Sequence, residues 1–242
     1  LNDAVAVAKA GDKVLVHGKC CVDKDGDGKC DRTPRGKARY VPCVYKEPKT
    51  ARIPCGVTVT GRVDLYEDKT DHWRPIVLGS GQGSVLVAGP CAPDPASTVG
   101  VIHLVVRNGW AGYRQVFKQR RGKRRAEHFP KPSSSARDYG GGLRVVDAPA
   151  LVEGNCFFDN HAVKGGAIAI VWSGKKIAPS LIQRNIIGKF GSNKNTAIDE
   201  GGGVYVRGAY HPARDAPTQG FHVTMRENTV RGNALRGPGG YV

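Results

Sequence analysis

The sequence predicts an all-β fold in which short parallel strands stack coil upon coil into a solenoid. The main observation is an internal repeat in which a Gly pair opens a short apolar strand and an Asn closes the next strand. The copies read GGGLRVVDAPALVEGNCFFDN (140–160), GGAIAIVWSGKKIAPSLIQRN (165–185) and, in two pieces, GGGVYVRG (201–208) and VTMRENTVRGN (223–233). Since one such unit cannot bury its own apolar face, the copies must stack on each other.

The register of the copies follows from their spacing. Leu143, Ile168 and Val204 occupy equivalent places, so a coil of variable loop length recurs after 25 and then 36 residues. Because side chains alternate across a strand, one set faces the core. The inward set is Leu143, Val145, Ile168, Ile170, Val204 and Val206, and the outward set is Arg144, Ala169 and Tyr205.

Three asparagines close the second strand of each copy: Asn155, Asn185 and Asn228. Asn tolerates the left-handed conformation and bonds nearby backbone groups, which suits a tight corner. When coils stack, these side chains form an asparagine ladder. We interpret them as structural and not catalytic.

This phrasing, with GGAI or GGGV opening a strand and F-x-x-N closing one, resembles the right-handed parallel β-helix of the pectate-lyase-like superfamily. It is also similar to the repeats of polymorphic outer-membrane proteins and related bacterial surface proteins. The resemblance implies a right-handed single-stranded parallel β-helix with long loop insertions. It implies much less about activity, because the superfamily includes lyases, hydrolases, epimerases and adhesins.

One domain over 1–242 is expected. Residues 1–18 are similar to the short N-terminal capping helix and first strand of such folds, and a cap is needed because an uncovered coil exposes a strand edge. A surface helix is the alternative, and it would leave Val5 and Val7 exposed. Residues 19–50 form a Cys-rich insertion, 51–113 return to period-2 apolar runs, and 140–242 hold the regular coils.

An acidic loop in the 19–50 insertion resembles calcium loops of the EF-hand type. The pattern D-x-D-x-D-G-x-x-D places hard oxygen ligands at alternate positions, with a backbone carbonyl at the seventh. The predicted ligands of a structural calcium ion are Asp23, Asp25, Asp27, Lys29 and Asp31. Pro34 stands where a bidentate Glu is usual, and a solvated acidic turn is the alternative.

Six cysteines crowd the first part of the chain without the paired spacing of a zinc site. The disulfide candidates are Cys20, Cys21, Cys30, Cys43, Cys55 and Cys91, whereas Cys156 is expected to be unpaired. Disulfides favour an oxidising, extracellular or cell-surface location. Their connectivity cannot be read from the sequence.

The segment 114–139 interrupts the coils with nine lysines and arginines against Glu127 and Asp138, which is +7 of the chain's net charge of +16. Such a density of one sign favours an acidic partner, with an ordinary flexible loop as the alternative. The predicted ligand-binding residues here are Arg120, Arg121, Lys123, Arg124 and Arg125. Trp172, Tyr210 and His211, on loops that follow successive strands, are predicted to line an adjoining groove.

The same groove offers candidates for catalysis. In the lyases that this chain resembles, a basic residue removes a proton beside a uronate carboxylate. The candidates are Arg144, Lys175, Tyr205 and Arg207. No acidic cluster like the catalytic calcium site of those lyases lies on these strands, and a solvated sheet face is the alternative.

We therefore predict a secreted or surface-displayed binding or structural module for an anionic polysaccharide or envelope component. The alternative is a polysaccharide lyase or another carbohydrate-active enzyme. Nucleic acid is a less favoured partner because no known nucleic-acid module is present, and no apolar run is long enough to span a membrane. Because 239–242 open a further coil without completing it, we expect a longer chain or another chain, possibly in self-association, to cover this end.

Overall fold

A computed structural model describes most of the chain. The described residues are 1–17, 19–21, 40–62, 74–92, 94–120, 123–130, 138–173, 179–189, 194–208 and 223–235. The predicted calcium loop, 23–31, lies outside them.

The described residues form one short α-helix, one 3₁₀ turn (Pro95–Ser97) and many short strands. The elements are α1 (Asn2–Val7), β1 (Lys13–His17), β2 (Lys19–Cys21), β3 (Tyr40–Pro42), β4 (Val44–Glu47), β5 (Ala51–Ile53), β6 (Thr58–Arg62), β7 (Ile76–Gly79), β8 (Leu86–Ala88), β9 (Val99–Ile102), β10 (Val105–Arg107), β11 (Tyr113–Arg120), β12 (Lys123–Pro130), β13 (Leu143–Val146), β14 (Ala150–Glu153), β15 (Cys156–Phe158), β16 (His161–Lys164), β17 (Ile168–Val171), β18 (Ser180–Gln183), β19 (Ile186–Ile187), β20 (Thr196–Glu200), β21 (Val204–Arg207), β22 (Val223–Arg226), β23 (Thr229–Val230) and β24 (Ala234–Leu235).

Four parallel sheets take their strands in turn as the chain advances. Sheet 1 has the order β1-β6-β9-β14-β18-β22, sheet 2 has β4-β7-β10-β15-β19-β23, sheet 3 has β5-β8-β13-β17-β21, and sheet 4 has β16-β20-β24. The chain therefore returns to the same sheet once per repeat. The all-β class is confirmed, and this order is consistent with a parallel β-solenoid.

The repeat register deduced from the sequence is confirmed. In sheet 3, Leu143 pairs with Ile168, and Ile168 pairs with Val204. Leu143 and Ile168 are fully buried in the main apolar core, and Val204 packs against its end. Each fully buried aliphatic side chain contributes about 1.5–3 kcal/mol, so the stacked inward rows are the main source of stability.

The outer face of sheet 3 is partly covered, unlike the solvated face that the sequence analysis gave as an alternative. Ala169, an outward position, is fully buried under a small second apolar cluster that it forms with Tyr139 and Val171. Tyr205 packs against this cluster, and its ring makes an edge contact with Tyr139 at 5.4 Å between centroids. Aromatic side chains from beside the coil therefore cover part of this face.

The corners contain the asparagine ladder. The Asn155 main-chain N–H and side-chain amide donate to Asn185 Oδ1 at 2.9 and 3.0 Å, and Asn185 donates in the same way to Asn228 Oδ1. The left-handed residue, however, is the one before each Asn: Gly154, Arg184 and Glu227 have φ of 64°, 56° and 55°. The Asn side chain thus holds the corner while its neighbour makes the turn.

A second asparagine ladder, which the sequence analysis missed, runs along the next corner. Asn160 donates to Asn195 Oδ1, and Asn195 donates to Asn233 Oδ1 at 2.9 Å. The signal was the repeated spacing N-x₄-N, seen at Asn155 and Asn160 and again at 228 and 233. An insertion after Asn185 hides the middle copy.

The Gly pairs have two separate roles. Gly140, Gly165 and Gly201, the first of each pair, have φ of 60–66°. The second glycine is required by close packing, because a Cβ on Gly166 would lie 2.2 Å from the Gly202 carbonyl oxygen of the next coil. The motif therefore combines a left-handed turn with direct backbone contact between coils.

The N-terminal helix packs on the first coil. Val5 is buried in the main core, whereas Val7 is exposed. The Asn2 side chain donates to Glu47 Oε2 at 2.6 Å, which ties the start of α1 to β4. The packing of Val5 favours the capping interpretation over a surface helix.

The structure agrees with part of the disulfide prediction. Cys55 and Cys91 form a disulfide, Cys43 is also disulfide-bonded, and Cys156 is a buried free thiol. Arg74 donates to Cys156 Sγ at 2.8 Å. Burial raises the pKa of the Cys156 thiol although Arg74 acts in the opposite direction, so the thiol form is favoured. Cys30 lies outside the described residues, and the side chains of Cys20 and Cys21 are not described.

Candidate functional site

The basic segment, expected to be a loop, forms a two-stranded antiparallel hairpin. β11 and β12 pair over eight positions, from Tyr113 opposite Pro130 to Arg120 opposite Lys123. Residues directly opposite each other share a face of an antiparallel pair, and successive residues alternate between faces. The register therefore sorts the charges of this segment.

The charged residues are distributed unevenly between the two faces of the hairpin. One face, which we name the basic face, carries five cations and one acid, whereas the other carries a single cation, Arg124. The residues of the basic face are Arg114, Val116, Lys118, Arg120, Lys123, Arg125, Glu127 and Phe129. Of the residues in this segment that were predicted to bind a ligand, Arg120, Lys123 and Arg125 lie on the basic face, and Arg124 lies on the other face. Arg121 lies outside the described residues.

Two pairs on the basic face join like charges. Lys118 lies opposite Arg125, and Arg120 lies opposite Lys123. Cross-strand pairs change stability by roughly 0.2–1 kcal/mol, and like charges directly opposite each other are unfavourable. The register therefore sets two pairs of like-charged residues opposite each other on this face.

Aromatic residues fix the base of the hairpin on β16. Trp110 bridges to His161 before the hairpin, and Tyr139 bridges to Lys164 after it. The Trp110 indole stacks on the His161 ring at 3.8 Å, and Tyr113 makes an edge contact with Trp110 at 5.1 Å. The hairpin is thus an insertion between two short segments that pair with sheet 4.

His161 is held on both ring nitrogens. Nδ1 is hydrogen-bonded to Thr196 Oγ1, and Nε2 lies 3.3 Å from Asp159 Oδ1. The three side chains resemble a nucleophile–histidine–acid triad, but Thr196 is fully buried and out of reach of a substrate. The cluster is therefore a support for Trp110 and the hairpin.

Tyr139 leads from the hairpin to the outer face of sheet 3. Lys164 beside it contacts Glu200 at 2.6 Å and Asp199 at 3.0 Å, and lies 5.4 Å from the centre of the Tyr205 ring. Glu200 first, then Asp199, raises the pKa of Lys164, which stays protonated at neutral pH. Burial raises the pKa of Tyr205 against the effect of Lys164, so its phenolate is disfavoured as a base.

The catalytic candidates are brought together only in part. Arg144 pairs with Ala169, which pairs with Tyr205, and Arg207 lies two residues farther along the same outer face. Lys175 lies outside the described residues. The nearby carboxylates Asp199 and Glu200 are bound by Lys164, as described above. This face therefore presents two arginines and a phenol whose pKa is raised, and the exposed carboxylates beside it are held in ion pairs with Lys164.

One residue that was predicted to line the groove lies in the core. Trp172 is only 2% exposed and belongs to the main core, so it cannot bind a ligand on the surface. The chain turns at the end of β17, and the aromatic ring enters the core where the sequence suggested a loop. Tyr210 and His211 lie outside the described residues.

Other classes of site are not seen in the described part of the chain. There, no group of three or more His, Cys, Asp or Glu side chains is arranged to hold a metal ion. None of the described helices has the length and apolar character needed to cross a membrane. No protein-family model, curated protein or solved structure matches this sequence, so its function has to be inferred from its own geometry.

Proposed function

We propose that this chain is a secreted or surface-displayed right-handed parallel β-helix, similar to the pectate-lyase-like superfamily, that binds an anionic polysaccharide through its basic hairpin. The observation that carries the proposal is the register of β11 and β12, which gathers five cations on one face. The disulfide between Cys55 and Cys91 supports the extracytoplasmic location.

An extended polymer suits this surface better than a single small anion. Arg114 and Arg120 are six residues apart on β11, which corresponds to about 20 Å along a strand. A flexible polyanion can follow such a row and neutralise each cation in turn, whereas one small ion can satisfy only one cross-strand pair. The stacked Trp110 and His161 hold the base of the row in place.

Two adjacent arginines give a matched test. Arg125 lies on the basic face and Arg124 lies on the opposite face, so Arg125→Gln and Arg124→Gln remove the same charge from neighbouring positions. Binding is measured against polygalacturonate, alginate and heparin at several salt concentrations. Arg125→Gln should weaken binding about two- to fivefold and reduce its salt dependence, since exposed charge pairs contribute about 0.2–1 kcal/mol. Arg124→Gln should change it less than twofold.

The double variant Lys118→Gln with Arg125→Gln removes one whole like-charged pair and should weaken binding about tenfold. Equal losses in the two single variants would contradict the face assignment. Tighter binding to single-stranded DNA than to any polysaccharide would replace the proposed partner by a nucleic acid. Growth of the unsaturated-uronate absorbance during incubation would show a lyase in place of a binding module.

A further inference from the structure

The cations of the basic face are concentrated in the half of the hairpin near its tip. Two adjacent cross-strand pairs there consist of cations alone, and we name these four positions the double row. The pair next to the double row contains an acid, Glu127, which separates the double row from the fifth cation, Arg114. From base to tip, the facing pairs are Arg114–Phe129, Val116–Glu127, Lys118–Arg125 and Arg120–Lys123.

The register fixes the spacing of the double row. Positions on one face recur at every second residue, which is about 7 Å along a strand. Directly opposite positions are roughly 5 Å apart between their Cβ atoms. The four positions therefore form a block that is nearly as wide as it is long, with two cations on each strand. A chain that carries its anions in single file can follow only one of the two strands.

Contacts at the base of the hairpin distinguish its two faces. Tyr113 belongs to the face opposite the basic face, because the basic face begins at Arg114. The Tyr113 ring contacts Trp110 at 5.1 Å between centroids, and lies 6.4 Å from the His161 ring. The face that meets the coil at this base is therefore the other face. A polymer can reach the basic face without displacing these aromatic contacts.

We infer that the double row binds a sulfated polysaccharide with charged groups on both sides of its chain, as in heparin-like glycosaminoglycans. This inference rests on the proposed binding of an anionic polysaccharide. A polyuronate carries one carboxylate on each sugar, so it meets one cation of a facing pair and leaves the other without a counter-charge. A chain with several sulfate groups on each repeat can neutralise both cations of a pair, and facing like charges are otherwise unfavourable.

Heparin and fully desulfated, N-acetylated heparin are suitable probes, because they share a backbone and its carboxylates and differ in their sulfates. End-labelled chains of equal length are titrated with the full protein, and fluorescence anisotropy is followed at several salt concentrations. Heparin should bind at least tenfold more tightly than the desulfated chain. Its affinity should also depend more steeply on salt, since it neutralises more cations.

Two variants of the full chain locate this preference. Lys118→Gln with Arg125→Gln removes one facing pair of the double row, and Arg114→Gln removes the cation beyond Glu127. The double variant should weaken heparin binding about tenfold and desulfated-heparin binding about two- to fivefold, because the desulfated chain meets only one cation of the pair. Arg114→Gln should weaken the binding of both polymers by the same factor and leave the preference unchanged. Circular dichroism and a melting curve check that each variant is folded.

The outcomes separate this inference from the proposed function. If neither polymer, polygalacturonate nor alginate binds, the proposed function fails and the sulfated ligand fails with it. If heparin and desulfated heparin bind with similar affinity, the chain binds anionic polysaccharides but the sulfated ligand is wrong. An equal loss of the preference in Arg114→Gln and in the double variant would likewise overturn the assignment to the double row.

Discussion

The Asn185 side chain joins three successive coils. Its Oδ1 accepts from the Asn155 main-chain N–H at 2.9 Å and from the Asn155 amide at 3.0 Å. Its Nδ2 donates to the carbonyls of Val152 and Gln183, each at 2.9 Å, and to Asn228 Oδ1. Replacing it with Leu keeps the volume roughly constant and removes all of these bonds.

The expected loss follows from the groups left without partners. Asn185 is 1% exposed and Asn155 is fully buried, so water cannot replace the missing acceptor. Two buried donors without an acceptor destabilise the fold by about 1–3 kcal/mol each, and the two carbonyls keep other lone pairs. We expect Asn185→Leu to lower the free energy of unfolding by about 2–6 kcal/mol, a large part of the roughly 5–15 kcal/mol of an ordinary domain.

Urea unfolding followed by circular dichroism measures this loss, provided that the slope with urea is unchanged. The matched comparison is Asn228→Leu in the last described coil, which removes the acceptor of the Asn185 main-chain N–H, whereas the Asn185 amide keeps the Val152 and Gln183 carbonyls. With one buried donor left without an acceptor, and not two, this variant should lose about 1–3 kcal/mol. A larger loss at Asn228 than at Asn185, or a loss below about 1 kcal/mol at Asn185, would refute the view that buried donors give the ladder its strength.

The substitution Asn185→Asp tests the direction in which stability changes with pH. The introduced carboxyl keeps the acceptor but faces the Val152 and Gln183 carbonyls, so its charged form is disfavoured and its pKa in the folded state rises above the ordinary value of about 3.9. Stability is therefore present below about pH 4 and lost as the pH rises through the folded pKa. The free energy of unfolding of the variant should approach that of the wild type below about pH 4 and be lower than that of the wild type at pH 7.

Four further measurements examine other parts of the chain. Burial, and then the charge of Arg74, lowers the pKa of His103, so protonation opposes folding and the melting temperature should fall as the pH drops below about 6.5. Asn tolerates the φ of 55° at this position, so His103→Asn should reduce this fall. The same pH profile in the variant and the wild type would contradict the role of His103. Gly166→Ala should lower the free energy of unfolding by about 1–3 kcal/mol in urea, because its Cβ would overlap a carbonyl of the next coil, and a neutral effect would contradict the close packing. The Cys156 thiol should react with iodoacetamide only after unfolding, since burial raises its pKa, and rapid labelling of the folded chain would show otherwise. If the loop 23–31 binds calcium, a chelator should lower the melting temperature, and an unchanged melting curve would indicate an ordinary acidic turn.

The repeat was predictable because it appears in sequence as a strict local rule. The first glycine of each pair needs a left-handed φ, and the second has no room for a side chain. Both positions therefore require Gly, which can be recognised directly in the sequence. Inward residues such as Leu143 and Ile168 follow from period-2 alternation alone. These features depend on the nearest neighbours in the chain and in the stack, which repeat with the sequence.

The fate of a residue at the end of a strand was less predictable. Trp172 directly follows β17, where alternation no longer specifies a direction, and the ring is buried in the core. Ala169 faces outward by alternation, yet Tyr139 covers it from a segment thirty residues earlier. Such burial depends on what the insertions bring back to the coil, and that information is not local.

The charge pattern of the basic hairpin could be predicted from the sequence, but the pairing of its two strands could not. The even spacing of Arg114, Lys118 and Arg120 could be read in the sequence, and so could the Gly between Arg121 and Lys123. What the sequence left open was whether the two arms pair, because a row of like charges opposes pairing. Lys118 opposite Arg125 lies on the same face as Arg120 opposite Lys123, so the repulsion is concentrated on one side of the ribbon. A charge distribution that serves only solubility is expected to mix signs or to spread over both faces, whereas this register places the facing like-charged pairs on one face. Binding of a polyanion should therefore stabilise the hairpin as well as occupy it, and backbone exchange of β11 and β12 should slow on addition of the polymer that binds.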